Sequence, residues 1–189
     1  MNGDWLSDRR SEAAEEKILD AAGELFARER ASTVGMKEIA RAAGCSRATL
    51  YRYFENREVL LTAYTEREGQ RVFQAISERV ATITDPRDRL VEAGMTLVWT
   101  IRAQPGLSSW FTDGQAQVGG RLAQRSRVIR AFVDAFVRSL GVDDPGASDR
   151  RARWVIRVVT SILVFPGRDD ADERAILEEF VAPLVAPLP

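Results

Sequence analysis

Residues 34–54, VGMKEIARAAGCSRATLYRYF, read as two short helices joined by a tight turn. Met36, Ile39, Ala40 and Ala43 recur at three- and four-residue steps and so share one face of a first helix. Gly44 ends that helix, because a glycine accepts the left-handed conformation in which helices commonly stop. Ser46 then offers a hydroxyl to a free amide of the next turn and starts a second helix. On it Leu50 and Phe54 stand four apart and turn back toward the first helix. Arg47, Ala48, Thr49, Arg52 and Tyr53 spread over the outside. Guanidinium groups suit guanine edges, methyl groups suit thymine, and hydroxyls and cations suit phosphate oxygens, so this surface fits a DNA groove. A helical hairpin with a glycine turn is also ordinary architecture in all-α domains.

Local charge favours the DNA reading. Between Arg30 and Arg57 the cations Arg30, Lys37, Arg41, Arg47, Arg52 and Arg57 face only Glu38 and Glu55, an excess of four positive charges in a chain whose net charge is -1.

The stretch 39–61, IARAAGCSRATLYRYFENREVLL, resembles the signature of the TetR family of bacterial transcription repressors. The resemblance rests on Ile39-Ala40, Ala43-Gly44, Ser46, Leu50-Tyr51, Tyr53-Phe54 and Arg57-Glu58. It is specific from about Glu15 to Leu61 and architectural beyond. It implies an all-α chain: an N-terminal arm and three-helix helix-turn-helix DNA-binding domain over residues 1–60, and a helical effector-binding and dimerisation domain over 61–189. The implied activity is a homodimeric repressor on a palindromic double-stranded operator, released by a small, mainly apolar effector. Arg47 is the first choice for reading a base, with Lys37, Ala48, Tyr51 and Arg52 as further groove contacts. Thr49, Tyr53 and Arg57 would hold phosphates, and Ser46 would cap the helix and touch one. At Gly35 the chain departs from the pattern, which has a threonine or serine there; the helix can still be capped, but a hydroxyl for phosphate is missing.

Composition narrows the alternatives. The 189 residues include one cysteine and no histidine, which removes the commonest general base and the commonest zinc ligand. No phosphate-cradling or dinucleotide-binding glycine motif occurs, so neither catalysis, a metal nor a cofactor is expected. The longest apolar run, Val155 to Phe165, is interrupted by Arg157 and too short for a bilayer, so a cytoplasmic protein without membrane partners is expected. Cys45, in the turn, reads as a small apolar filler.

Residues 1–10 lack periodicity and are expected to be disordered, with Arg9 and Arg10 as a basic arm able to reach a minor groove. From Ser11 to about Arg30 a bracing helix carries Ile18, Leu19, Ala22, Leu25 and Phe26. After Asn56, a cap, one long helix runs to about Thr82. Asp85-Pro86 opens another helix, to about Ala103. Pro105-Gly106 interrupts, a short aromatic segment follows, and a single helix is expected from Arg121 to Leu140. A loop covers Gly141 to Gly146, Ser148 caps the next helix, and a last helix from about Ala171 frays near Pro183.

The C-terminal part has two possible uses for its apolar surface. Met95, Trp99, Trp110, Phe111, Phe132 and Phe136 can line an effector pocket, or simply fill a core. Trp154, Val155, Val158, Ile162, Ile176 and Phe180, on the last two long helices, can pair with a second copy, as TetR-like proteins do, or be buried within one chain. Two readers about 34 Å apart would meet successive major-groove faces. The alternative of another class is a ligand-independent DNA-bound structural or adaptor protein of the same fold that docks a protein.

Overall fold

The computed structural model describes residues 5–29, 32–111 and 116–185. Among them the chain forms only helices: α1 (Trp5–Arg28), α2 (Met36–Ala42), α3 (Arg47–Tyr53), α4 (Arg57–Val80), α5 (Pro86–Ala103), α6 (Pro105–Ser108), α7 (Ala116–Arg125), α8 (Arg127–Arg138), α9 (Pro145–Val164), α10 (Asp170–Phe180) and α11 (Ala182–Val185). The fold is all-α, with a helix-turn-helix near the N-terminus and a larger helical assembly after it.

Most boundaries follow local chemistry. Asn56 accepts the Val59 amide at 3.0 Å and opens α4, and Asp85 accepts the amides of Arg87 and Asp88 ahead of Pro86. Four expectations are corrected. Helix α1 begins at Trp5, so the backbone of Arg9 and Arg10 is helical; Met1–Asp4 lie outside the described residues. The single helix expected over 121–140 is two, because Ser126 accepts the Ile129 amide and caps α8. Asp144, not Ser148, caps α9, and Pro145 takes its first turn. Ser148 is instead buried and donates to Asp134 Oδ1 at 2.5 Å, tying α9 to α8. The last helix stops at Phe180, and the short α11 carries Pro183.

Helix α1 packs on α2, α4 and α6; α4 packs on α5, α7 and α8; α5 lies between α4 and the pair α10 and α11. At 24 residues α4 is about 36 Å long and belongs to both ends of the molecule. Two kinds of joint fasten it to α1. Arg67 donates to Glu16 Oε2 at 3.0 Å and Asp20 Oδ1 at 2.9 Å, while also pairing with the buried Glu68. Phe26, Tyr64 and Trp110, from α1, α4 and the segment after α6, form an aromatic triangle with centroids 5.2–5.6 Å apart. Burial raises the Tyr64 hydroxyl well above its ordinary pKa and keeps it neutral.

Gly106 lets α6 sit against this joint. A Cβ there would stand 2.6 Å from the Tyr64 hydroxyl and 2.9 Å from the Gly23 carbonyl oxygen, so any side chain forces α6 away from α1. Gly106→Ala is expected to destabilise the protein by about 1–3 kcal/mol through this overpacking, read as a lower melting temperature. An unchanged melting temperature would show that the joint yields without cost.

Candidate nucleic-acid interface

The turn between α2 and α3 closes as the sequence requires. Gly44 has φ +68°, the Cys45 amide donates to Ala40 O at 3.0 Å, and the Gly44 amide donates to Arg41 O at 3.2 Å. This pair of bonds satisfies the last carbonyls of α2 and demands a left-handed residue at position 44. Ser46 Oγ accepts the Thr49 amide at 3.0 Å and lies 2.9 Å from Thr49 Oγ1. Leu50 and Phe54 are buried in the same core as Ile39, Ala40 and Ala43, and burying that edge of α3 fixes its roll about its axis.

That roll sends the polar side chains out. Arg47, Ala48, Tyr51 and Arg52 are exposed on α3, and Lys37 and Arg41 are exposed on α2. Thr49 and Tyr53 are half-buried, and the Arg52 guanidinium lies 5.3 Å from the Tyr53 ring centre. Arg30 lies outside the described residues. Helix α2 starts at Gly35 without a side-chain cap, as its lack of a hydroxyl dictates.

Arg57, expected to hold a phosphate, also makes a bond within the protein. It is half-buried, its Nε donates to Val34 O at 2.9 Å, and burial lowers its pKa from the ordinary guanidinium value. The bond ties the start of α4 to Val34, just ahead of the Gly35 cap of α2. Spacing could not show this, since the partner is a carbonyl 23 residues away.

The C-terminal helices are hollow. One cavity of about 100 Å³ is lined by Thr65, Gly69, Val72, Leu107, Trp110 and Phe111, with walls from α7, α8 and α9. A smaller one of about 40 Å³ is lined by Phe132, Phe136, Ile76, Leu90, Leu177 and Val181 among others. Four of the six expected pocket residues therefore line these spaces, Trp110 and Phe111 the first, Phe132 and Phe136 the second. Met95 is fully buried and lines neither. Trp99 stands at the surface and donates its indole N–H to Asp170 Oδ2 at 2.9 Å.

The residues expected to pair with a second copy differ in exposure in the single chain. Trp154 and Phe180 are exposed (42% and 61%), and Val158 and Ile176 are half-buried. Ile162 is buried in its own chain, and Val155 lines both cavities. Phe165 and Leu184, at the C-cap of α9 and in α11 but not among the residues singled out for that face, are 76% and 60% exposed. On α9 and its cap, Trp154, Val158, Ser161 and Phe165 fall on one helical face.

Among the described residues no helix is long and apolar enough to cross a membrane, and no group of three or more histidine, cysteine, aspartate or glutamate side chains could hold a metal ion.

The family profile for bacterial regulatory proteins, tetR family, matches residues 18–64. An uncharacterized HTH-type transcriptional regulator of Mycobacterium tuberculosis is 52% identical over 184 residues, covering 97% of this chain and 91% of that one. The HTH-type transcriptional activator FasR of Mycolicibacterium smegmatis is 34% identical over 155 residues, covering 80% of this chain and 69% of its own. Among solved structures, the TetR family repressor AlkX from Dietzia superposes with a TM-score of 0.68 at 21% identity, covering 90% of this chain and 94% of that one.

Proposed function

Since the chain belongs to the TetR family of bacterial regulatory proteins and is a DNA-binding transcriptional regulator, we propose that it acts in the cytoplasm as a homodimeric repressor, without catalysis. It would hold a palindromic operator and release it when a small, mainly apolar effector enters the C-terminal helices. The observation that carries this reading is the outward cationic face of α3, held in register by the Gly44 turn, the Ser46 cap and the buried Leu50 and Phe54. Arg47, at the first turn of α3, would read a base edge, with Ala48, Tyr51, Arg52 and Lys37 at the groove. Ser46, Thr49 and Tyr53 would meet phosphates, and Arg57 would act through its brace to Val34.

The cavities support a ligand rather than a protein-docking adaptor, because an apolar pocket inside a domain can take a small molecule but not a protein surface. They also suggest how release works. Trp110 lines the larger cavity and packs on Phe26 of α1 and Tyr64 of α4, so a molecule that displaces it moves both helices that carry the reader. A complete switch needs roughly 5.5 kcal/mol of differential affinity, and two pockets in a dimer at about 1–3 kcal/mol each come close if the free equilibrium is already poised.

The test is selection of bound duplexes from the source genome, followed by Arg47→Ala on the selected site. Removing a base contact is expected to cost about 1–3 kcal/mol on that site and relax preference at one position. Lys37→Ala, if Lys37 instead contacts phosphate, weakens all sequences alike and flattens the salt dependence. An Arg47→Ala protein with unchanged affinity and unchanged preference would refute the assignment. Transcription in vitro from a promoter carrying the site fixes the sign of the output, and stimulation by the ligand-free protein would overturn the repressor reading.

A further inference from the structure

The cavities are strung along a single helix. On α4, Glu58, Thr62 and Glu66 line an open cleft against α7, and Thr65 is shared between that cleft and the larger cavity. Gly69 and Val72 line the larger cavity, Phe73 is shared with the smaller one, and Ile76 lines the smaller one only. From Thr65 to Ile76 is about 16 Å at the rise of an α-helix. Leu97, Val133, Val155 and Val159 are also common to the two inner chambers, so they form one row with a partition. The partition is Phe73, stacked on Phe132 with ring centres 3.7 Å apart. A flat ring would occupy one chamber; a chain lying beside α4 would occupy both once that pair turns aside.

Polarity changes along the same line. The inner chamber is walled by aliphatic and phenyl groups alone. In the larger chamber the polar groups include Thr65, which also borders the cleft, and Trp110, whose Nε1 is buried without a hydrogen-bond partner. The Trp110 ring packs on that of Tyr64, with centroids 5.4 Å apart, and lines the same chamber as Thr65. A buried indole N–H without an acceptor is costly, and an oxygen of a bound molecule would relieve it. The cleft beyond, of about 390 Å³, is bordered by Arg121, Arg125 and Arg127 and by Glu58 and Glu66, three positive charges less two negative, or +1. Arg125 and Arg127 are exposed, and Arg125 meets Glu58 only at 3.9 Å.

We propose that the effector is a single-chain anionic amphiphile: an aliphatic tail in the two inner chambers, an acyl oxygen at Trp110 Nε1, and a carboxylate or phosphate head in the α4–α7 cleft beside Arg125 and Arg127. The inference rests on the reading that the C-terminal helices take a small effector, and it specifies that molecule's chemistry. The two chambers run beside about 16 Å of α4, which bounds the length of an extended tail lying in them.

The experiment is calorimetric titration of the full-length protein with straight-chain carboxylates of increasing length, alkanols of the same lengths, the coenzyme A thioester of the best chain, coenzyme A alone, and a simple phenol. Affinity is expected to climb with tail length and then fall once the row is full. The carboxylate or the thioester is expected to exceed the matched alkanol by about tenfold, since a charge-assisted pair adds to the same tail burial. Whichever of the two binds tighter identifies the head, free acid or phosphate-bearing thioester. Arg125→Gln/Arg127→Gln, at exposed positions that leave the fold intact, is expected to erase that preference and leave alkanol binding within about twofold. Binding independent of tail length, or an alkanol equal to its carboxylate, overturns the proposal. Tight binding of the phenol with none of the chains overturns it and leaves the effector reading standing. Binding by no compound of either shape sinks both.

Discussion

Phe165→Glu combined with Phe180→Glu is expected to convert the protein to monomers and to weaken binding to a full palindromic site by roughly 10²–10⁴-fold, the gain that linkage of two readers confers. Both side chains are mostly exposed in the single chain, so the change removes little from the folded protomer, while two carboxylates per chain on an apolar face oppose pairing. A duplex with only one half-site should bind the variant and the parent chain alike, because α3 and its support are untouched. Sedimentation and the two duplexes together check the prediction. A variant that remains dimeric, or that loses affinity equally for the half-site and the palindrome, would place the contact between copies elsewhere.

This prediction pairs Phe180, which the sequence reading places on the shared face, with Phe165, which it does not, and the reason for the omission is geometric. A wide apolar arc such as 154–165 shows that α9 is bounded by apolar neighbours on most sides but not which edge belongs to its own chain. Ile162 and Val155 lie on the inner edge, and Trp154 and Phe165 on the outer. Helix ends were more legible, since a cap is a contact between residues three apart: Ser46, Asn56 and Asp85 each announce a helix by themselves. Ser126 announces one as well, yet the apolar spacing on its two sides suggested continuity. The reader was legible because Gly44, Ser46, Leu50 and Phe54 determine its shape locally. The brace from Arg57 to Val34, the indole bond of Trp99 to Asp170 and the row of cavities along α4 depend on tertiary placement, which spacing does not encode.

The buried carboxylate of Glu173 is where that tertiary placement is most exposed to a single change. It accepts Arg102 Nη1 at 2.8 Å, Arg102 Nη2 at 2.6 Å and the Gly167 amide at 2.9 Å, while Arg102 also reaches Ile162 O at 3.3 Å. The end of α5, the end of α9 and the start of α10 therefore meet at one side chain that is 1% exposed. Glu173→Leu strands three donors. Breaking a fully buried pair costs about 3–5 kcal/mol, but Arg102 is one-third exposed and recovers some hydration, so about 2–3 kcal/mol is expected. For a chain of this size that is a fall of about 4–12 °C in melting temperature at fixed protein concentration. Arg102→Leu/Glu173→Leu should recover part of it, since the stranded guanidinium is gone. Acid offers a second readout. The hydrogen bonds from Arg102 hold the Glu173 carboxyl below its usual range, and those from Arg174 and Arg79 do the same for Glu92. A depressed folded-state value means the stabilisation is complete above the unfolded carboxylate pKa of about 4.3 and is lost as the pH falls through the folded value. The gap in stability between the parent chain and Glu173→Gln should thus be flat near neutrality and close below about pH 4. A gap that persists undiminished in acid, or a Glu173→Leu protein melting with the parent, would mean that packing and not this ion pair sets the position of α10.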